Sequence, residues 1–299
     1  MSSLAKAVFA AAPPGRLRRL LPPGASWLLF WPSLVILLFF VVPFVLLLRV
    51  SVARPGLGAV GAGGIDLQNY TGLAFDAGFI DSVGFSLALA SLVAVISLSL
   101  SFPFTFWIAR MTRRAQVVWL VFLLTTLSLS EVLITFAWQV MLAKRIGLSN
   151  LLVWLHLLPE PKSLSPNLGA VVACLVYLVI PFSVLLLFPG MSRIDPQLVE
   201  AARTMGASPT RAFFTVIVPL MRQPIVACFL MSFIVAIGSY VAPLVLGRPE
   251  HWTVAILISK AALNADNLPL ATAMSVAFLA ATALVCGIVL SVAGRRVAD

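Results

Sequence analysis

Few residues in this chain have the type and spacing that chemistry needs. The two histidines, His156 and His251, stand alone, and Cys174, Cys228 and Cys286 all lie within apolar runs. No Cys-x-x-Cys or Cys/His ligand spacing occurs, so each cysteine reads as a small buried apolar residue and no metal site is expected. No paired carboxylates, histidine cluster or nucleophile–base pair can be assembled, which argues against an enzyme and implies no cofactor. The Gly-x-x-x-x-Gly-Lys-Ser/Thr phosphate loop is absent as well, so the chain does not hydrolyse ATP by that route. Two carboxylates stand out by context. Glu131, in LSLSEVLITFAW, is the one acidic residue deep within an apolar stretch. A charge there costs about 2.5–3.5 kcal/mol on insertion scales, so it must face protein or water rather than lipid. Glu200 lies in the longest polar-rich run of the C-terminal half, DPQLVEAARTMGASPTRAFFTVIVP, residues 195–219.

That run carries helix punctuation. Asp195 can cap a helix that starts at Pro196, where a missing N–H costs nothing. Leu198, Ala201, Ala202 and Met205 fall at i, i+3, i+4 and i+7 and predict one apolar face. Gly206 supplies a left-handed stop. Ser208 and Pro209 repeat the cap-and-start pattern, and Phe213, Val216 and Ile217 predict the apolar face of a second helix. Two short helices with an elbow at Gly206 are therefore expected at a membrane surface.

The membrane follows from composition. Of 299 residues, 61% are hydrophobic and 10% charged, against about 25% charged in an ordinary soluble domain; the mean hydropathy is +1.09. Six stretches reach the roughly 20 apolar residues that a spanning helix needs: 27–50, 82–109, 117–142, 168–189, 223–246 and 269–293. The expected fold is all-α, with one six-span membrane domain over 26–299 preceded by a tail over 1–25. The net charge of +10 does not point to nucleic acid, because the basic residues gather at span ends without interleaved aromatics. Lys and Arg favour the tail, the 110–116 loop, the 193–222 region and the C-terminus, which places these regions and both termini in the cytoplasm. Gln68-Asn69-Tyr70 is expected to open a short surface helix, 51–66 to be irregular, 143–167 to hold an interfacial helix and turn, and 247–268 to be an outer loop.

Glu200-Ala201-Ala202, Gly206 and the Val216–Pro219 run resemble the EAA signature of ABC importer permeases, with Val216 and Val218 where Ile and Leu are usual. The likeness extends over about 67–280. Residues 137–148, AWQVMLAKRIGL, resemble the Ala-Trp…Gly-Leu end of the third common span of the spermidine/putrescine-type branch. Pro181-Phe182 with Arg193-Ile194-Asp195 resembles that branch's approach to the EAA loop. The segment Ile237 to Gly247 resembles its Gly-Asp-Phe-x-x-Pro-x-Leu-Gly motif, with Ser239 for Asp and Tyr240 for Phe. Permeases for ferric iron, thiosulfate and aminophosphonate share parts of these patterns.

The resemblance implies a type I, binding-protein-dependent importer half in a bacterial inner membrane. It also implies partners: cytoplasmic ATPase subunits, a second permease and an extracytoplasmic binding protein. The EAA loop, about 193–221, would be the cytoplasmic helix-turn-helix that couples to the ATPase through Glu200, Ala201, Ala202 and Gly206. Glu200 alone could equally be a solvated charge paired with Arg203 at i+3. Glu131 would either face the substrate pathway or make a helix–helix hydrogen bond, and Tyr240 would line the pathway or sit at the outer interface. The rival class is an ion-coupled secondary transporter. Such proteins usually place several ionisable residues at mid-membrane and show inverted repeats; here Glu131 is alone and no repeat is visible.

Overall fold

The computed structural model describes residues 25–53, 67–144, 148–156, 159–160, 162–263 and 267–298, and these are helical with no strand among them. The N-terminal tail and most of the Gly-rich 51–66 stretch lie outside the described residues. In chain order the helices are α1 (Ala25–Ser51), α2 (Gln68–Phe75), α3 (Ala77–Ala109), α4 (Arg113–Leu127), α5 (Glu131–Met141) and α6 (Leu148–Trp154). There follow α7 (Leu168–Met191), α8 (Pro196–Thr204), α9 (Pro209–Leu220), α10 (Arg222–Ile237), α11 (Val241–Leu246), α12 (Val254–Leu263) and α13 (Leu268–Ala298).

The centre is a three-helix pack of α3, α7 and α10. Leu89, Val93 and Ala94 of α3 meet Val171, Cys174, Leu175 and Val179 of α7 and Phe233 of α10 in one buried cluster. Around it, α1 packs on α13, α12 on α13 and α3, and α11 on α5 and α7. The outward faces stay apolar: Phe39 of α1 is 79% exposed and Phe40 is 73% exposed. That is the pattern of a helix whose solvent is lipid.

Four uninterrupted helices are long and apolar enough to cross a bilayer: Phe30–Ser51, Ala77–Ala109, Leu168–Met191 and Leu268–Val292. The two other expected spans are broken. Within 117–142, α4 stops at Leu127 and α5 restarts at Glu131 with a 92° bend between them. Within 223–246, α10 ends at Ile237 and α11 begins at Val241. Pro243 occupies the third position of α11, where its missing N–H would have had no helical acceptor, so the restart is locally natural. A further 76° bend separates α9 from α10. Six spans result when each bent pair is counted as one.

Two surface expectations resolve differently. Gln68-Asn69-Tyr70 does open a helix, and it is tied to the end of α1. Asn69 Nδ2 donates to the Ser51 and Ala53 carbonyls at 3.3 and 2.9 Å, and the Tyr70 hydroxyl donates to Ser51 Oγ at 2.7 Å. The expected outer loop over 247–268 instead contains α12, with Val254 and Ile256 fully buried. Its first N–H, from Val254, donates to Ser86 Oγ of α3 at 3.0 Å. The turn residues Gly247, Pro249 and Asn267 flank this helix and masked it in the sequence.

Candidate functional site

Two structures concentrate the candidate residues. The first is the loop from Arg193 to Met221. Asp195 caps α8 by accepting from the Gln197 N–H at 2.9 Å, and Pro196 is the first helical residue. At the other end Gly206 takes φ +90°. Its N–H donates to the Arg203 carbonyl at 3.0 Å, and the Ala207 N–H reaches back to Ala202 at 3.1 Å. This pair of bonds is a Schellman stop, which needs a left-handed residue and so favours glycine. Ser208 then caps α9, accepting from the Arg211 N–H at 3.3 Å.

The apolar face of α8 differs from the expected one. Val199 and Ala202 are buried, while Leu198 is 47% and Met205 82% exposed; Ala201, Glu200 and Gly206 are exposed too. On a helix of nine residues two adjacent stripes satisfy the same periodicity, and the one that packs on the bundle is the smaller. Among the described residues Glu200 forms no ion pair with Arg203.

α9 fixes this loop to the bundle. Phe213 sits edge-on to Phe102 and Phe106 of α3, with ring centroids 5.4 and 5.2 Å apart, and the Arg110 guanidinium lies 4.2 Å over Phe106. Ile217 and Met221 are 1% exposed in the same cluster. Residues Phe213–Ile217 form a widened π turn, closed by the Val218 N–H on the Phe213 carbonyl. Pro219 follows, so the α-helical ladder loses a rung at that point and the chain bends at Met221. α7 approaches this bend closely: a Cβ on Gly190 would stand 3.0 Å from Pro224 Cγ and 3.2 Å from Met221 Sδ.

The second structure is the meeting of the two helix breaks. α4 is 15 residues long, about 22 Å at 1.5 Å per residue, so Glu131 lies far along the span. Glu131 is the first residue of α5 and is half-buried. Ser239 lies in the break between α10 and α11 and is 5% exposed. Its hydroxyl donates to Glu131 Oε1 at 2.6 Å. One turn further along α5, the Thr135 hydroxyl stands 3.9 Å from the Cys174 thiol of α7. This face of α5 therefore points into protein, as the cost of a lipid-facing charge requires. Tyr240, next to Ser239, is half-buried, and its hydroxyl accepts from Ser259 Oγ of α12 at 3.4 Å. Glu131 and Tyr240, 109 positions apart in sequence, thus meet the same break. No group of three or more potential metal ligands occurs among the described residues.

Residues 101–298 match the family model for the binding-protein-dependent transport system inner membrane component. The chain belongs to this family. It is the permease component of an ABC importer, an inner-membrane transport subunit and not an enzyme, whose partners are a binding protein, an ATPase and a second permease. The spermidine/putrescine transport system permease protein PotB of Haemophilus influenzae is 28% identical over 259 residues, covering 87% of both chains. PotB of Escherichia coli K12 is 27% identical over 210 residues, covering 70% of this chain and 76% of that one. Among solved structures, a bacterial ABC transporter involved in the import of the acidic polysaccharide alginate superposes with a TM-score of 0.74 at 16% identity. It covers 94% of this chain and 99% of that chain. The alginate transporter in complex with a pentasaccharide-bound periplasmic protein gives a TM-score of 0.70, also at 16% identity. At that identity the likeness is one of fold.

Sequence reasoning did not find the Ser239–Glu131 bond or the Phe213 wedge. The run Gly238-Ser239-Tyr240 ahead of Pro243 was the available sign of a break, and Phe102-x3-Phe106 was the sign of an aromatic receptor for Phe213.

Proposed function

We propose that α8 and the Gly206 elbow face the cytoplasm and transmit ATPase movement to the bundle, with both chain termini on that same side. The observation that carries this reading is the exposed apolar stripe of Leu198, Ala201 and Met205 on a helix otherwise anchored by Val199, Ala202 and Phe213. A stripe of that kind needs a partner surface. Glu200, Ala201 and Gly206 stand on the accessible side and contact the ATPase. Ala202 is buried, so its part is to let α8 lie close to the bundle. Glu200 stands at the middle of the nine-residue α8, outside its first turn, so the helix dipole gives it little; its exposed carboxylate instead suits a basic partner.

The cargo we propose is a polyamine or a related small cationic amine, since the PotB relatives named above are spermidine/putrescine permeases. Glu131, bonded to Ser239, and the adjacent Tyr240 line its path, and half-buried Glu131 offers the negative charge a cation needs.

Gly206→Leu tests the coupling reading. A left-handed residue costs a branched side chain about 1–2 kcal/mol. The structure leaves open space around a Cβ at this position, so the added bulk meets the partner rather than this chain. Uptake should be lost while the chain still reaches the membrane. Normal uptake together with a full complement of co-purified ATPase would remove the elbow from the coupling surface.

A further inference from the structure

We propose that Ser239 is a positioning residue for Glu131: the α10–α11 break orients the carboxylate that the α4–α5 break presents to the cargo. This rests on the pathway reading of Glu131 given above.

The first ground is where the hydroxyl goes. Helical serines and threonines ordinarily bond back to a carbonyl of their own helix. Ser82, Ser91, Thr105, Ser183 and Ser275 all do so here, each to the residue four before it. Ser239 does not. Its backbone N–H is satisfied by the Ala236 carbonyl at 3.2 Å, which leaves the side chain to cross from one broken helix to the other. Among the described residues this is the one hydroxyl that donates to a carboxylate.

The second ground is burial. At 5% exposure Ser239 has little access to competing water, and a hydroxyl with one proton directs it to one oxygen. A glutamate side chain has three rotatable bonds, and fixing them costs rotamer entropy. A charge-assisted bond of 2.6 Å offsets that cost and holds Oε1. Oε2 is left for a second donor. No described Lys or Arg forms an ion pair with Glu131, so its charge is not cancelled within the chain. The arrangement fits one ammonium group at a time, met in a fixed direction.

The third ground is rigidity. Glu131 is the first residue of α5, Ser239 lies two residues before α11, and α5 packs directly on α11. The hydroxyl and the carboxylate are therefore each carried by an element that the other supports, as a preoriented site requires.

The test is a double-mutant cycle in the complete importer reconstituted in proteoliposomes. Spermidine is the probe, and the readout is spermidine transported per ATP hydrolysed. A merely structural defect would lower transport and hydrolysis together and leave the ratio in place. Ser239→Ala should lower the ratio about tenfold, the lower end for one hydrogen bond to a charged group. Ser239→Thr, which keeps the hydroxyl, should recover most of it. On a Glu131→Ala background, already impaired, Ser239→Ala should change the ratio less than twofold. If Glu131→Ala does not accumulate in the membrane, Glu131→Leu, which also cannot accept from Ser239, serves as the background with the same expectation. A wild-type ratio in Ser239→Ala, with Glu131→Ala impaired, would overturn the positioning role alone. An equal drop on both backgrounds would also overturn it, since Ser239 would then not act through Glu131. A wild-type ratio in Glu131→Ala would remove the pathway reading and this inference with it.

Discussion

Glu131 shows how much a single position can carry in an apolar chain. Its carboxylate is held between two broken helices, with Oε1 accepting from the Ser239 hydroxyl; on the reading proposed above, the other oxygen meets the cargo. Replacing it by glutamine keeps the shape and the capacity to accept from Ser239, and removes the charge. Glu131→Gln should therefore lower spermidine uptake about tenfold, one charge-assisted contact of roughly 1.5 kcal/mol, while membrane insertion and the helix packing persist. Initial uptake rates normalised to chain in the membrane provide the measurement. Unchanged uptake of spermidine, putrescine and the other candidate cargoes would leave Glu131 with only its helix–helix bond.

At the scale of elements, the important joint lies between α9 and α3. The loop that bears α8 packs on the bundle through Val199, Ala202 and Ile217, and Phe213 adds an aromatic wedge against Phe102 and Phe106. Edge-to-face aromatic pairs contribute about 0.5–1.5 kcal/mol each beyond burial, so two of them stiffen the junction noticeably. Phe213→Ala should cost about 2–3 kcal/mol, below a fully buried phenylalanine because the ring is only half-buried. The exposed stripe of α8 is untouched by this change. The expected result is an ATPase that still co-purifies with a chain that no longer transports, with Phe213→Leu intermediate. Normal uptake in Phe213→Ala would show that the joint does not transmit movement. The local devices here were readable in advance, because caps and stops depend on a few adjacent residues: Asp195, Pro196, Gly206 and Ser208 act as their types dictate. The face of α8 was not, since Val199–Ala202 and Leu198–Ala201–Met205 satisfy the same periodicity and only contact with the bundle chooses between them.

For the whole molecule, what hydropathy reports is transfer from water, and it reports this whether or not a helix is continuous. That is why 117–142 and 223–246 were legible as membrane segments while their breaks at 128–130 and 238–240 were not. Leu and Val on both sides of each break keep the average high. The pairing of Glu131 with Ser239 spans 108 positions, and no local pattern encodes it. Orientation is a different matter, for it was read from the bias of Lys and Arg toward span ends and can be tested directly. Met205 is 82% exposed at the tip of α8, so Met205→Cys places a reactive thiol on the loop with little disturbance to packing. Cys174 and Cys228 are buried, and Cys286, partly exposed, is replaced by alanine beforehand. In intact spheroplasts a membrane-impermeant maleimide should leave Met205→Cys unlabelled, whereas inside-out vesicles should label within minutes. On the coupling reading proposed above, bound ATPase should slow that labelling, because residue 205 belongs to the stripe assigned to it. Labelling from outside intact spheroplasts would invert the topology, and the coupling role of α8 could not survive it.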